Sequence, residues 1–358
     1  MANPRGPAGD ARRVDAVDGI RGLAALAVAW FHLTNGYHDW VGGSGRLGWL
    51  GLDAFFVVSG FVIPFSLQRR GYRLSDFWTY FARRCVRIEP PYLASIALVL
   101  LLALAAPWVP GFHGGGFDIT PLQIASHLLY ATPLLHQAWL QPVYWTLGVE
   151  FVFYLVVGAA FPLLQRQWLV WSAALAVAAL CCTAIGGKPE PRVLLFLIGA
   201  AGLHAFARRD RALSAWLCIG AAAAAMSALG AMLSAAVAVT TVGAILFAPL
   251  GKVPLLRRLG AISYSLYLVH VPVGGKIVNL GGRLAHGTIA ELAVSCLALA
   301  ASLLAATALW AVVERPAMAL SSRIGARRPD RAPETERPAK AVWASGAGAA
   351  SRRLLGRD

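Results

Sequence analysis

The sequence predicts an all-α, polytopic transmembrane helix bundle of about ten spans with both termini cytoplasmic. Three observations carry this. Of the 358 residues 58% are hydrophobic and only 14% charged, at a mean hydropathy of +0.62; a soluble chain carries about a quarter charged residues. Apolar runs of about 17–25 residues, enough to cross a hydrocarbon core, recur along the whole chain. The basic residues cluster in alternate connections, which is how the positive-inside rule orients a membrane protein.

In order, helices are expected at 19–36, 48–66, 91–107, 143–164, 167–184, 191–207, 213–229, 231–249, 260–279 and 290–313. A polar N-terminal segment, residues 1–16, precedes the first and has no cleavable signal pattern, so that helix serves as a retained anchor. Gly230 alone divides the seventh from the eighth. Residues 75–90 (SDFWTYFARRCVRIEP) read as an interfacial helix capped by Ser75 or Asp76. Its aromatics Phe77, Trp78, Tyr80 and Phe81 would meet headgroups, while Arg83, Arg84 and Arg87 would meet water or phosphate. The stretch 119–136, with Pro121, Pro133 and His127, reads as re-entrant or interfacial, since a full span there would invert everything downstream. With the N-terminus inside, only Arg46, Lys188, Arg192, Lys276 and Arg283 of the 32 Lys and Arg residues fall outside. The transmembrane domain is thus expected over 17–320. A basic Pro/Arg/Ala/Gly-rich tail, 321–358, follows with a disordered composition.

The formal charge of +15 does not point to nucleic acid, because the positive residues sit in inner loops and the tail. Cys85, Cys181, Cys182, Cys218 and Cys296 form no C-x-x-C pair and read as small hydrophobes rather than disulfide or zinc ligands. His113, His127 and His136 lack metal-ligand spacing and read as surface or pocket residues, so no metal is expected. The G-x-G-x-x-G match at 43–48 lies in a loop with no preceding strand. Neither a G-x-S-x-G elbow nor an H-E-x-x-H pair occurs, and His32 has no aspartate five residues later, as an H-x4-D acyltransferase signature would need.

Ionisable residues inside the expected spans are few: Asp18, Arg21, His32, Asp53, Glu150, His204, His270 and Glu291. Such groups are costly in a membrane and usually face a bundle interior or a wet cavity. Arg21 and His32 stand eleven residues apart, about three turns and about 16 Å on one helical face. His32 and Glu150 both fall in the outer halves of their helices. If those helices are neighbours, the carboxylate would fix the imidazole tautomer and raise its basicity for deprotonating a hydroxyl. A structural His–Glu hydrogen bond fits the same pattern. Asp18 and Arg21, spaced i,i+3, can pair at the inner end. Arg21 with Arg84 and Arg87 forms a cationic cluster suited to a phosphate-bearing ligand, or to anionic lipid.

Several motifs occur in order that resemble the integral-membrane O-acyltransferases called acyltransferase-3, which include bacterial O-antigen and exopolysaccharide acetylases. They are VDGIRGLAALAVAWFHL, GWLGLDAFFVVSGFVIPFSL (48–67), FARRCVRIEPPY (81–92), PVYWTLGVEFVFYLV (142–156), FLIGAAG (196–202), ISYSLYLVHVPV (262–273) and ERP (314–316). Thr146 stands where the family motif has serine, and Phe151 follows Glu150 where many members carry a second Glu. The resemblance implies an O-acetyltransferase of the bacterial inner membrane, moving an acyl group from cytoplasmic acyl-CoA to a hydroxyl of a carbohydrate or glycolipid acceptor. Acyl-CoA would be a co-substrate, with no tightly bound cofactor. His32 becomes the general base or a transient acyl carrier, Glu150 its helper, and Arg21, Arg84 and Arg87 the holders of CoA phosphates. Asp18, Asp53, Ser59, Tyr92, Trp145, Ser263, Tyr264 and His270 would line the pore. The competing class is a proton-coupled transporter or flippase using the same His and Glu as a relay. It predicts an internal repeat, and the sequence has none.

Overall fold

The computed structural model describes residues 7–108, 119–185, 190–207, 212–284 and 287–325, and among these every regular element is helical. Helix α1 (Pro7–Thr34) is followed by the short α2 (Trp40–Gly45) and by α3 (Gly51–Arg69). Then come α4 (Phe77–Ala105), α5 (Pro121–Leu128), α6 (Trp145–Arg166), α7 (Trp168–Ile185), α8 (Val193–Ala207), α9 (Ala212–Ala228) and α10 (Met232–Phe247). The chain ends in α11 (Pro254–Ala261), α12 (Ser263–Val269), α13 (Gly275–Leu284), α14 (Thr288–Leu309) and α15 (Arg315–Arg323). All ten predicted segments fall on helix. Five stretches are long and apolar enough to cross a membrane: Ala16–Thr34, Trp40–Arg69, Leu74–Trp108, Trp145–Arg166 and Thr288–Arg323. Apolar helices of 10–17 residues fill the region from Trp168 to Phe247. His113 and the tail beyond residue 325 lie outside the described residues.

Helix α1 is the hub, touching α3, α10, α11, α12 and α14. Two backbone approaches need glycine. A Cβ on Gly60 would strike Phe196 O and one on Gly199 would strike Val57 O, so α3 and α8 cross in direct contact. Gly22 and Gly260 do the same for α1 and α11. Association within a bilayer depends on such close packing, because lipid tails are as apolar as leucine.

Three expectations are corrected. Residues 75–90 and 91–107 are not two helices: α4 runs unbroken from Phe77 to Ala105 through Pro90 and Pro91. The prolines leave the carbonyls of Val86 and Arg87 without helical donors, but packing of α4 against α6, α12 and α15 carries the helix across. Its aromatic face is not uniformly toward lipid either. Trp78 is exposed, whereas Tyr80 is buried and donates to Tyr154 O at 3.3 Å. The ninth segment, 260–279, is likewise not one helix. It breaks into α12, a π-helical turn at His270–Gly274, and α13.

Within 119–136, only the eight residues of α5 are helical, too short to span, in keeping with a re-entrant or interfacial segment. Thr120 caps α5 by accepting from Gln123 N at 3.1 Å. His127 is fully buried and not a surface or pocket residue. Its Nδ1–H donates to Gln123 O (2.8 Å) and its Nε2 accepts from Leu140 N (3.0 Å), which holds the connection to α6 in place.

Candidate functional site

A cavity of about 280 Å³ lies between α1, α3, α4, α6 and α12. Its lining on α3 runs from Leu52 to Phe65, about 20 Å of helix at 1.5 Å per residue. Apolar side chains make most of the wall, and polar groups sit in two sets. One holds Asp18, Arg21, Arg84, Arg87 and Glu314; the other holds Ser59, Thr146, Glu150 and Tyr267, with Tyr154 and Tyr264 between.

The cationic set is as the sequence predicted. Arg21 Nη1 is 3.9 Å from Asp18 Oδ1. Arg84 Nη2 donates to Ser66 Oγ (3.0 Å), and its guanidinium lies over the Tyr80 and Tyr154 rings at 5.6 and 5.2 Å. Arg87 differs: among the described residues it makes no hydrogen bond or ion pair, though it borders the same cavity. Five N–H donors facing an apolar-walled space without an acceptor are expensive, and an anionic ligand is the natural partner. Glu314, 3% exposed and bonded by Ser265 Oγ at 2.6 Å, is the nearest buried carboxylate on that side and is already engaged.

In the second set, Glu150 Oε1 accepts from Ser59 Oγ at 3.1 Å and from Tyr154 OH at 2.5 Å, so its other oxygen remains available. The expected contact between Glu150 and His32 does not occur. His32 pairs instead with His270, whose Nε2 is 3.3 Å from His32 Nδ1. The reason is azimuth: His270, at the end of α12, faces α1, whereas Glu150 faces α3 and is bonded by Ser59.

The partners assign both tautomers. His270 Nδ1 is 3.0 Å from Leu266 O and His32 Nδ1 is 3.0 Å from Val28 O, so each carries its proton on Nδ1. His270 Nε2 then shares the His32 Nδ1–H, and His32 Nε2 is left with an open lone pair. His270 is fully buried; His32 is partly exposed.

Of the remaining predicted pore residues, Asp18, Ser59 and Tyr264 line the cavity, and Tyr264 OH donates to Ile88 O at 3.0 Å. Four do not. Asp53, fully buried, pairs with Arg192 Nε at 3.3 Å, and that guanidinium covers Trp49. Tyr92 is a core side chain stacked on Tyr130 at 5.4 Å. Trp145 packs edge-on to Phe56, and Ser263 turns back to Gly260 O. For Asp53, Trp145 and Ser263, neighbouring positions one or two residues on, Phe55, Thr146 and Tyr264, take the inward face instead. His270 also stands outside the lining.

Sequence reasoning missed Thr146, Tyr154, Tyr267 and Glu314. The first two flank Glu150 at i−4 and i+4, one helical face, and Tyr267 follows Tyr264 by three, so periodicity was the available signal. Glu314 opens the ERP stretch and sits on a second π-helical turn, Trp310–Glu314, which periodicity does not foretell.

The sequence profile described as "Acyltransferase domain", acyltransferase-3, matches residues 14–311. Acyltransferase MdmB of Streptomyces mycarofaciens is 27% identical over 375 residues, covering 88% of this chain and 94% of that protein. O-acetyltransferase OatA of Staphylococcus aureus is 34% identical over 95 residues, 26% of this chain and 15% of OatA. No solved structure matches. With the family profile spanning most of a helical, membrane-type chain, the protein belongs to the acyltransferase-3 family and is an acyltransferase.

Proposed function

We propose that the chain transfers an acyl group, acetyl in the simplest case, from acyl-CoA in the arginine-walled cavity to a hydroxyl acceptor that reaches His32 from the opposite side. The observation that carries this is Arg87, whose guanidinium makes no hydrogen bond or ion pair among the described residues and lies with Arg21 and Arg84 at one end of an elongated, mostly apolar cavity. Arg21 and Arg84 beside it complete a phosphate-binding set, and guanidinium groups hold phosphate through paired donors. The apolar length between them and Glu150 suits the pantetheine arm, whose amide N–H groups the available Glu150 oxygen would accept.

The chemistry then follows from His32. Its Nε2 takes the proton of the acceptor hydroxyl as the oxygen attacks the thioester carbonyl. The C–O bond forms, the C–S bond breaks, and the thiolate leaves as CoA after taking a proton back from the imidazolium. His270 is a positioning residue that holds the His32 ring through Nδ1. A carbohydrate, glycolipid or related hydroxyl compound is the acceptor class we favour, on the family relationship.

We read the chain as a bacterial inner-membrane protein with ten spans and both termini cytoplasmic, organised as an N-terminal segment (1–16), a membrane domain (17–320) and a tail (321–358). The cationic end of the cavity then faces the cytoplasmic pool of acyl-CoA. In this reading His32, Asp39 and the Asp53–Arg192 pair, which lie outside the cavity lining, belong to the outer side of the bundle.

The test is acyl-CoA-dependent O-acylation in membranes containing wild type, His32→Ala or Glu150→Gln. Loss of transfer in His32→Ala with normal amounts of protein is expected. Undiminished transfer refutes the assignment, and loss of substrate flux without any acyl transfer would turn the reading toward a transporter.

A further inference from the structure

The histidine pair lies outside the lining of the donor cavity, whereas Tyr267 and Thr146 border it. Tyr267 lies between the cavity and His270. The ring of Tyr267 faces the cavity on one side and approaches the His270 ring at 5.9 Å on the other. Phe55 supports it edge-on at 5.9 Å and 70°.

Its hydroxyl is anchored. Tyr267 OH is 2.6 Å from Thr146 Oγ1 and 2.8 Å from Val143 O, and Thr146 Oγ1 is 2.9 Å from the same carbonyl. Two protons serve three close pairs, so both hydroxyls are satisfied whichever way the bonds run. Moving the ring aside breaks that triangle inside an apolar core, where lost hydrogen bonds find no water to replace them. The partition is therefore closed at rest and specific in what opens it.

We propose that Tyr267, latched by Thr146, is the gate between the acyl-CoA cavity and the His32 base, and the residue that sets which acyl groups pass. The inference rests on the donor reading above and deepens it. A thioester lying along the cavity from the arginines meets Tyr267 at its acyl end. A small acyl group fits past a displaced ring; each added methylene must find room against Tyr267, Thr146 and Phe55. Hydrophobic pockets discriminate a single methylene by roughly tenfold or more. The latch also keeps water in the outer compartment from the thioester, so hydrolysis to free acid and CoA is suppressed until the gate opens.

The experiment uses the full chain in detergent with acetyl-, propionyl-, butyryl- and hexanoyl-CoA. It measures thiol release with water as acceptor and, separately, equilibrium binding of radiolabelled acetyl-CoA. Tyr267→Ala should raise acceptor-independent CoA release and lift the butyryl-to-acetyl ratio by roughly tenfold. Tyr267→Phe keeps the plug without its latch and should shift both readings the same way, less far. Thr146→Ser keeps the hydroxyl and should stay closed to water, as wild type is, whereas Thr146→Ala should leak. Adding His32→Ala to Tyr267→Ala should abolish the extra release, because the opened passage leads to that base. An unchanged chain-length ratio and unchanged release in Tyr267→Ala and Tyr267→Phe proteins that bind acetyl-CoA normally would overturn the gate alone. So would leakage that persists without His32. A wild type that binds no acetyl-CoA would overturn the donor reading and the gate together.

Discussion

His270→Ala separates positioning from chemistry. The His32 ring is held by two bonds at Nδ1, a 3.0 Å bond to Val28 O and a 3.3 Å contact with His270 Nε2. Deleting His270 removes the weaker one and leaves the tautomer fixed by Val28. A neutral hydrogen bond is worth about 1 kcal/mol net, and about 1.4 kcal/mol is a factor of ten in rate, so kcat should fall about fivefold. Removing the base itself should cost about 10²–10⁴-fold. The order is therefore His32→Ala far below His270→Ala, with His270→Gln close to wild type where its amide oxygen accepts the His32 Nδ1–H in place of Nε2. The assay is incorporation of radiolabelled acetyl into membrane or small-molecule products, scaled to folded protein by size-exclusion profile. KM for acetyl-CoA should not move in any of the three, because neither histidine borders the donor cavity. If His270→Ala is as dead as His32→Ala while folding normally, His270 touches the reacting atoms and the positioning role is wrong.

Three further outcomes are expected. Arg87→Met should weaken acetyl-CoA binding by roughly 10–100-fold, the value of about 1.5–3 kcal/mol for a charged hydrogen bond; kcat should hold, and Arg87→Lys should recover only part of the affinity because it loses the paired geometry. Arg192→Met strands the fully buried Asp53 and should destabilise by about 2–3 kcal/mol, below the usual cost for a buried pair because Arg192 is partly solvated; thermal unfolding in detergent should show most of the loss recovered in Asp53→Asn/Arg192→Met. Asp39, in the connection after α1, has its carboxyl held below the usual range by a hydrogen bond from Thr288, with further bonds from Val41 and Gly42. A depressed folded value means its stabilisation is present above the unfolded pKa of about 4 and is lost as pH falls through the lower folded value. The melting-temperature gap between wild type and Asp39→Asn should thus be open near neutrality and close in acid.

How much was legible in the sequence depends on period and register. Spans were readable because twenty apolar residues have few alternatives, and the Arg21, Arg84 and Arg87 cluster because topology puts those residues at one end. The His32–Glu150 partnership was not. Expected depth does not give azimuth, and it is azimuth that turns His32 toward His270 and Glu150 toward Ser59. Prolines misled in one direction: Pro90 and Pro91 read as a helix boundary, yet packing on several sides carries α4 through them. Asp53 misled in another. A buried carboxylate was taken for a pore residue, whereas its partner, Arg192, comes from the connection before α8, a pairing that sequence spacing does not reveal.

One short helix, α12, serves both halves of the site, and two π-helical turns, at His270–Gly274 and Trp310–Glu314, adjoin its two buried polar partners. In α12 the cavity-facing residues Tyr264 and Tyr267 are three apart, the ordinary helical spacing for one face. Ser265, on another face, reaches Glu314 at 2.6 Å and so ties α12 to the end of the α14 region. His270, three residues after Tyr267 and still on the regular ladder of α12 through its N–H to Leu266 O, keeps its Nδ1 on Leu266 O and presents Nε2 to His32. Glu314, on the second π-helical turn, brings a carboxylate to the cationic end. Extra residues in a helical ladder weaken it locally, and inside a bilayer every loosened carbonyl is costly. Both irregularities lie where a polar side chain must face protein rather than lipid. Placing Tyr267 between the donor cavity and the base requires that α12 present different chemistry to each, and its last turn does so: Tyr264 and Tyr267 line the cavity while His270 reaches His32.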